Sequence, residues 1–144
     1  MPEVMITIDR LIENIHSTIG KPQHIIALAK GGYIPARIIA QHLDVKRIYS
    51  YGISFYDDKD RKMEIPIVYQ NVDMSSIGKK DKILIVDDIV DTGFSLKWLH
   101  TSLEWQGYSK YESCALYLKP RSIIKPDVFA EIVDDDTWVQ FPWE

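Results

Sequence analysis

Hydrophobic residues along the chain recur at two spacings, one typical of helices and one typical of buried strands. Between Ile8 and Ile19 they fall on one helical face, with Thr7 as a candidate N-cap and Gly20 as a stop. Helical spacing returns in YIPARIIAQHL (33–43) and in FSLKWLHTSLEWQG (94–107). The pattern therefore predicts three amphipathic helices.

Short apolar or β-branched runs lie between and after these helices and predict strands. The runs are HIIALA (24–29), KRIYSYGISFY (46–56), DKILIVDD (81–88), YESCALYL (111–118) and DVFAEIV (127–133), with EIPIVYQNV (64–72) as a further extended segment. Alternating strands and helices predict an α/β fold with a mainly parallel, twisted sheet and helices on both faces. The length of 144 residues is typical of one domain, expected over 1–144.

Composition excludes several classes of function. A net charge of −4 disfavours a general nucleic-acid binder, which usually carries a basic excess. No apolar run approaches the roughly 18 residues that a membrane span needs, so no membrane partner is expected. The N-terminus does not resemble a signal peptide, and Cys114 is the single cysteine. We therefore expect a cytoplasmic protein without a disulfide framework.

Three aspartates crowd the end of one predicted strand, in ILIVDDIVDTGFSL (83–96). If the apolar run ends the strand at Val86, Asp87 and Asp88 project from the sheet edge where parallel α/β proteins bind ligands. Asp91 follows three residues later, at the turn into the next helix. Aspartates before a helix are often only caps, an explanation that accounts for one of them more readily than for all three.

The residues of this turn suit a phosphorylated sugar. A helix N-terminus offers unpaired N–H groups to a phosphate, Gly93 permits close approach of the backbone, and Thr92 and Ser95 add hydroxyl donors. Carboxylates do not bind phosphate, but they accept hydrogen bonds from sugar hydroxyls and hold Mg²⁺. The sequence thus indicates a phosphate site beside a sugar or metal site.

The same stretch resembles the signature of the type I phosphoribosyltransferases: an apolar strand, two acidic residues, two apolar residues, Asp-Thr-Gly and a hydroxyl residue. IIALAKGGYIPARIIAQHL (25–43) resembles the family's pyrophosphate loop, and ISFYDDKDRK (53–62) stands where the family has a mobile lid. LYLKP (116–120) and DDDTWVQFPWE (134–144) resemble the base-binding end of the 6-oxopurine branch, particularly the small xanthine–guanine enzymes.

The resemblance implies an enzyme of purine salvage whose substrates are phosphoribosyl pyrophosphate, with Mg²⁺, and a purine base. Asp87 and Asp88 would hold the ribose hydroxyls and the metal. The 5-phosphate would be wrapped by five consecutive residues: Asp91, Thr92, Gly93, Phe94 and Ser95. Asp91 would also lie near purine N7, either as the proton acceptor or as a group that orients the base. Phe94 departs from the family's small or basic residue and offers the phosphate no polar group.

The resemblance also assigns the pyrophosphate loop and the base site. Lys30, Gly31 and Gly32 would hold the pyrophosphate, with a cis peptide before the lysine. The base-binding residues would be three: Lys119 at the 6-oxo group, Trp138 stacked on the ring and Val139 reading its edge through the backbone. Without the resemblance, these segments fit a tight turn, a solvated strand-end lysine and a core or interface tryptophan.

The resemblance further implies a lid at about 56–66, a base-binding hood at about 119–144 and a homodimer or homotetramer. Two other functions stay open. One is a regulatory or non-catalytic protein that binds phosphoribosyl pyrophosphate, and the other is a phosphoribosyltransferase with a pyrimidine acceptor. Lys30 and Asp91 are both present and no basic RNA-binding face is evident, which favours the enzyme.

Overall fold

Six strands form one sheet in the computed structural model, which describes residues 2–144. The strands are β1 (His24–Ala29), β2 (Ile48–Tyr56), β3 (Lys62–Gln70), β4 (Ile83–Val90), β5 (Tyr111–Leu118) and β6 (Val128–Ile132). Their order across the sheet is β3-β2-β1-β4-β5-β6. Every neighbouring pair is parallel except β2 and β3, which form an antiparallel hairpin at one edge.

Helices cover both faces of this sheet, as the sequence predicts. They are α1 (Pro2–Thr18), α2 (Tyr33–Leu43) and α3 (Phe94–Trp105). Helices α1 and α2 share one core cluster with the sheet, and α3 packs into a second cluster on the opposite face. The predicted apolar face is buried: Ile8, Leu11, Ile12 and Ile15 on α1, and Ile19 directly after it. Burial of these faces places both cores directly against the central strands.

Two predicted boundaries are wrong. Helix α1 begins well before Thr7, whose hydroxyl bonds to the Glu3 carbonyl at 2.9 Å inside the helix instead of capping it. The helix extends because Val4 and Met5 also pack against the core. Strand β4 continues past Val86 to Val90, because its last residues still pair with β5.

The predicted lid segment, about 56–66, is mostly strand. A short turn spans 57–61 and is held by Asp57, whose Oδ1 accepts from the Lys59 and Arg61 amides at 2.9 and 2.8 Å. Asp57 Oδ2 also pairs with Arg61 Nε at 2.7 Å. These hydrogen bonds, of which the one from the Arg61 amide has the largest effect, lower the pKa of Asp57. The polar run is therefore an ordered hairpin tip.

The sheet topology places a crevice between β1 and β4. The chain leaves β1 toward β2 on one side, and β4 starts the other half of the sheet. Open α/β sheets bind ligands at the carboxyl ends of strands where the order reverses in this way. Within the described residues, no helix is long and apolar enough to cross a membrane. Cys114 is buried in β5, and burial raises the pKa of its thiol.

Candidate active site

The loop after β1 contacts the acidic end of β4. The Ala29–Lys30 peptide bond is cis, as the resemblance implies. Lys30 is exposed. A side chain at Gly31 would overlap the carboxylate of Asp88, so only glycine allows this approach. The fold thus places the Lys30–Gly32 loop directly against the carboxylate of Asp88 on β4.

Asp87 and Asp88 are adjacent residues of β4 near its carboxyl end. Asp87 is partly buried and Asp88 is 8% exposed. Asp87 Oδ1 accepts from the Asp88 amide at 2.8 Å, and Asp88 Oδ1 accepts from the Ile89 amide at 2.7 Å. Desolvation, followed by the charge of Asp88, raises the pKa of Asp87 well above its usual value. This pair is an electrostatically costly arrangement that a cation would relieve.

A small cavity lies between β4 and the start of α3. Its volume is about 120 Å³, and its lining consists of Asp87 and the residues of 89–96. That volume is well below the roughly 300–1,000 Å³ of pockets that enclose whole ligands. Gly93 sits at the N-cap of α3 with φ of +84°, a conformation that favours glycine. The cavity is therefore suited to a single compact group at a helix N-terminus.

Phe94 lines this cavity, and its ring also packs against the β2–β3 hairpin. Its ring centroid lies 5.7 Å from that of Phe55 on β2. The Lys62 ammonium at the start of β3 lies 5.6 Å from the Phe94 centroid. The side chain therefore links the turn at 91–95 to the tip end of the hairpin, next to the turn at 57–61.

Two cations from the segment after β5 approach Asp91. Lys119 Nζ lies 3.7 Å from Asp91 Oδ2, and Arg121 Nη2 lies 2.5 Å from Oδ1. The Ile123 amide also donates to the Thr92 carbonyl at 2.9 Å. The segment that follows β5 is thus attached to the turn that follows β4.

The phosphoribosyl transferase domain family matches this chain over residues 1–144. The chain belongs to that family. A xanthine–guanine phosphoribosyltransferase of Desulfotalea psychrophila is 36% identical over 120 residues, covering 83% of this chain and 69% of the relative. The corresponding enzyme of a Ruegeria species is 32% identical and covers 83% of this chain and 67% of the relative.

Solved structures agree with the family assignment. A purine phosphoribosyltransferase from Pyrococcus horikoshii superposes with a TM-score of 0.79 at 27% identity. The match covers 98% of this chain and 88% of that structure. The resemblance drawn from the sequence to type I phosphoribosyltransferases, near the xanthine–guanine enzymes, is therefore confirmed, together with the fold.

In this phosphoribosyltransferase the three residues expected at the base lie in different surroundings. Lys119 is 5% exposed and donates to the Asp135 carbonyl at 3.2 Å, beside Asp91. Trp138 is 82% exposed on the surface, and Val139 packs against the core cluster of α1 and α2. The structure thus brings Lys119 to the Asp91 carboxylate, whereas the Trp138 side chain is largely exposed to solvent.

The sequence reading missed Arg121 and Asp135 as site residues. The Arg121 side chain contacts Asp91, and the Arg121 backbone amide donates to Asp135 Oδ1 at 2.9 Å. A second cation two positions after Lys119 was the available signal. It was not recognised because an arginine in a turn is ordinarily solvated, and because its partner lies 30 positions away in the sequence.

Proposed function

We propose that the protein transfers the 5-phosphoribosyl group of phosphoribosyl pyrophosphate to N9 of a 6-oxopurine base and releases pyrophosphate. The observation that carries this proposal is the contact between the Lys30–Gly32 loop and Asp88, beside the cavity at 91–95. The loop proposed for the pyrophosphate, the carboxylate proposed for the ribose and a cavity of phosphate size would then be neighbours. Family membership and the purine-specific names of relatives support it.

The 5-phosphate would occupy the cavity of about 120 Å³ at the N-terminus of α3. Backbone amides of Asp91 to Ser95 and the Thr92 and Ser95 hydroxyls would donate to its oxygens. Phe94 would contribute its amide, since its ring packs on the hairpin. The ribose would then extend from this cavity toward Asp87 and Asp88, which accept hydrogen bonds from its hydroxyls.

Mg²⁺ fits the pair Asp87 and Asp88. No cluster of three or more His, Cys, Asp or Glu residues suited to a metal occurs in the part of the chain described. Mg²⁺ commonly uses one or two carboxylates and completes its shell with water and substrate phosphates. Desolvation, and after it the charge of Asp88, raises the pKa of Asp87, and a bound cation would counteract that increase. When bound, the ion would neutralise charge on the departing pyrophosphate.

Lys30 and the Gly31 amide would bind the pyrophosphate, whereas the Gly32 amide, which the resemblance also assigns to this group, donates to the Leu28 carbonyl at 2.8 Å. Charge grows on the pyrophosphate as its bond to C1 breaks, and an ammonium with a backbone N–H donor stabilises that charge. The ribose meanwhile gains oxocarbenium character, which water would capture if it reached C1. The β2–β3 hairpin, with its tip at 57–61, would act as the lid that excludes water.

Lys119 and Asp91 would read the base. The Lys119 ammonium, a donor, lies 3.7 Å from Asp91 Oδ2, an acceptor. Purine O6 and N7 lie on one edge, so neighbouring protein groups can contact both. Lys119 would donate to O6, and Asp91 would accept from N7–H as the proton acceptor. A 6-amino group offers no acceptor to the lysine, so adenine would be rejected.

The remaining parts of the proposal rest on the resemblance. Trp138 would stack on the base after its loop closes over the site, and the Val139 backbone would contact the ring edge. Residues 119–144 would form the base-binding hood of a single domain over 1–144. The protein would act as a homodimer or homotetramer.

A panel of bases tests this function. Hypoxanthine, guanine, xanthine, adenine and uracil are each incubated with phosphoribosyl pyrophosphate and Mg²⁺, and pyrophosphate release is followed. We expect release with at least one 6-oxopurine and none above background with adenine. Release with uracil alone would indicate a pyrimidine acceptor. Binding of phosphoribosyl pyrophosphate without turnover of any base would instead indicate a regulatory or non-catalytic protein.

A further inference from the structure

Arg121 holds one oxygen of Asp91 and leaves the other oxygen beside Lys119. Both Nε and Nη2 of Arg121 lie 2.5 Å from Asp91 Oδ1. Asp91 Oδ2 faces Lys119 Nζ at the longer distance of 3.7 Å. Charge-assisted pairing with a planar guanidinium fixes the orientation of a carboxylate. The two oxygens of Asp91 therefore have different environments, and Oδ2 is the one left for a ligand.

The backbone on both sides fixes Arg121 in this place. Its own amide donates to Asp135 Oδ1 at 2.9 Å, and the carbonyl of the same Asp135 accepts from Lys119 Nζ at 3.2 Å. Two residues further on, the Ile123 amide bonds to the Thr92 carbonyl at 2.9 Å. The segment that carries Lys119 and Arg121 is thus attached to the turn after β4, which carries Asp91, and to the loop after β6, which carries Asp135.

The ion pair is poorly placed to stabilise the fold. The side chains of Arg121 and Asp91 are 48% and 41% exposed. Ion pairs with that much solvent contact contribute little to the free energy of unfolding. The consequence of the contact is therefore the orientation of the Asp91 carboxylate.

We propose that Arg121 is a positioning residue for the base: by holding Asp91 Oδ1, it directs Oδ2 to accept from N7–H of the purine while Lys119 donates to O6. This inference rests on the proposed function, because it assigns a supporting group to the same base site. Without Arg121, the Asp91 carboxylate can rotate or close onto Lys119, and the two groups no longer match the O6–N7 edge.

Two base analogues isolate the N7 contact. 9-Deazahypoxanthine keeps the N7–H donor and the 6-oxo group but has carbon at position 9, so it cannot accept the ribosyl group at N9. 7-Deazahypoxanthine keeps the 6-oxo group but has carbon at position 7 and cannot donate there. Loss of a residue that orients Asp91 should weaken binding of 9-deazahypoxanthine selectively, whereas general damage to the site should weaken binding of both analogues.

The experiment compares R121A, R121K and the wild type. The matched control is K125A, which removes an exposed cation from the same loop, where it lies over Phe129. Inhibition constants of both analogues are measured against the 6-oxopurine substrate, and the Kd of phosphoribosyl pyrophosphate is measured by calorimetry with Mg²⁺. Urea unfolding midpoints identify any variant that is not folded, in which case R121Q replaces R121A.

We expect R121A to raise the inhibition constant of 9-deazahypoxanthine by about tenfold or more, the scale of one lost charge-assisted hydrogen bond. In the same variant, the inhibition constant of 7-deazahypoxanthine and the Kd of phosphoribosyl pyrophosphate stay within about twofold of the wild-type values. R121K recovers part of the lost affinity for 9-deazahypoxanthine, and K125A has the same constants as the wild type. Equal weakening of both analogues, or weaker phosphoribosyl pyrophosphate binding, would overturn the inference, as would an unchanged R121A. A wild type that turns over no base at all would instead refute the proposed function.

Discussion

Gly31 in the loop after β1 lies against the carboxylate of Asp88 on β4 so closely that a methyl group at position 31 would overlap it. This contact joins the two halves of the candidate site without any intervening side chain. The hydrogen-bond register between β1 and β4 holds it in place, with Ala27 opposite Val86. The loop proposed for pyrophosphate and the acidic pair proposed for ribose and metal are therefore fixed relative to each other by the sheet itself.

We expect Asp87 to lower the free energy of unfolding at neutral pH. The pKa of Asp87 is raised in the folded state. Between the pKa of an unfolded aspartate, about 3.9, and this raised pKa, the folded protein therefore binds more protons at Asp87 than the unfolded protein does. Wild-type stability attributable to this group therefore falls as pH rises toward the folded pKa. We expect D87N to be more stable than the wild type at pH 7.5, by about 1.4 kcal/mol for each unit of raised pKa, and the difference to shrink at pH 4.

Urea unfolding without Mg²⁺ at both pH values measures this difference. D73N is the matched control, because a hydrogen bond from the Ser75 amide lowers the pKa of Asp73. Its stability difference from the wild type should have the opposite sign. A D87N protein that is less stable than the wild type at pH 7.5 would contradict the electrostatic account of the acidic pair.

The three carboxylates could be located from the sequence, because a strand and the turn that follows it are adjacent in the chain. The end of β4 could not, since Ile89 and Val90 remain in the strand only through their pairing with Tyr117 and Leu118. Likewise, the contact between Arg121 and Asp91 joins two turns whose proximity follows from sheet order. Local spacing contains no information about that order until the strands are assembled.

Lys119 should control selection of the 6-oxo group. Its ammonium is nearly buried beside Asp91, and Met in its place keeps the apolar length without the donor. We expect K119M to lower kcat/KM for 6-oxopurines about 10- to 100-fold, because hydrogen bonds to charged groups contribute about 1.5–3 kcal/mol. K125M is the control for losing a cation from the same segment. Unchanged steady-state kinetics in K119M would remove this lysine from the base site.

Gly93 should be required for the phosphate cavity. Its φ of +84° disfavours any side chain, and a methyl group would also overlap Ser122 Oγ. Gly107 is the matched control, because its φ is +88° and nothing lies within 4 Å of a Cβ there. We expect G107A to cost about 1–2 kcal/mol of stability from the left-handed conformation alone and to bind phosphoribosyl pyrophosphate normally.

G93A should lose more stability than G107A and should also lose affinity for phosphoribosyl pyrophosphate. Urea unfolding and calorimetric titration with Mg²⁺ present give the two quantities. If G93A and G107A bound phosphoribosyl pyrophosphate equally well, the cavity at 91–95 would not be the site of the 5-phosphate.

The hairpin tip should protect the reacting sugar from water. Deleting Asp58 to Lys62 should raise hydrolysis of phosphoribosyl pyrophosphate relative to transfer to the base. D57A is a milder test, because it removes the carboxylate that accepts from the Lys59 and Arg61 amides while keeping Lys62 near Phe94. Equal ratios of ribose 5-phosphate to nucleotide in the variants and the wild type would show that the hairpin is not a lid.

Calorimetric titration of phosphoribosyl pyrophosphate into the wild type and D88N, each with Mg²⁺ and with a chelator, tests the central claim most directly. It requires no turnover, so it examines the acidic pair itself. We predict saturable binding to the wild type with Mg²⁺ and a Kd at least about tenfold weaker in D88N, equivalent to about 1.4 kcal/mol. Absence of binding to the wild type, or equal affinity in D88N, would contradict the account.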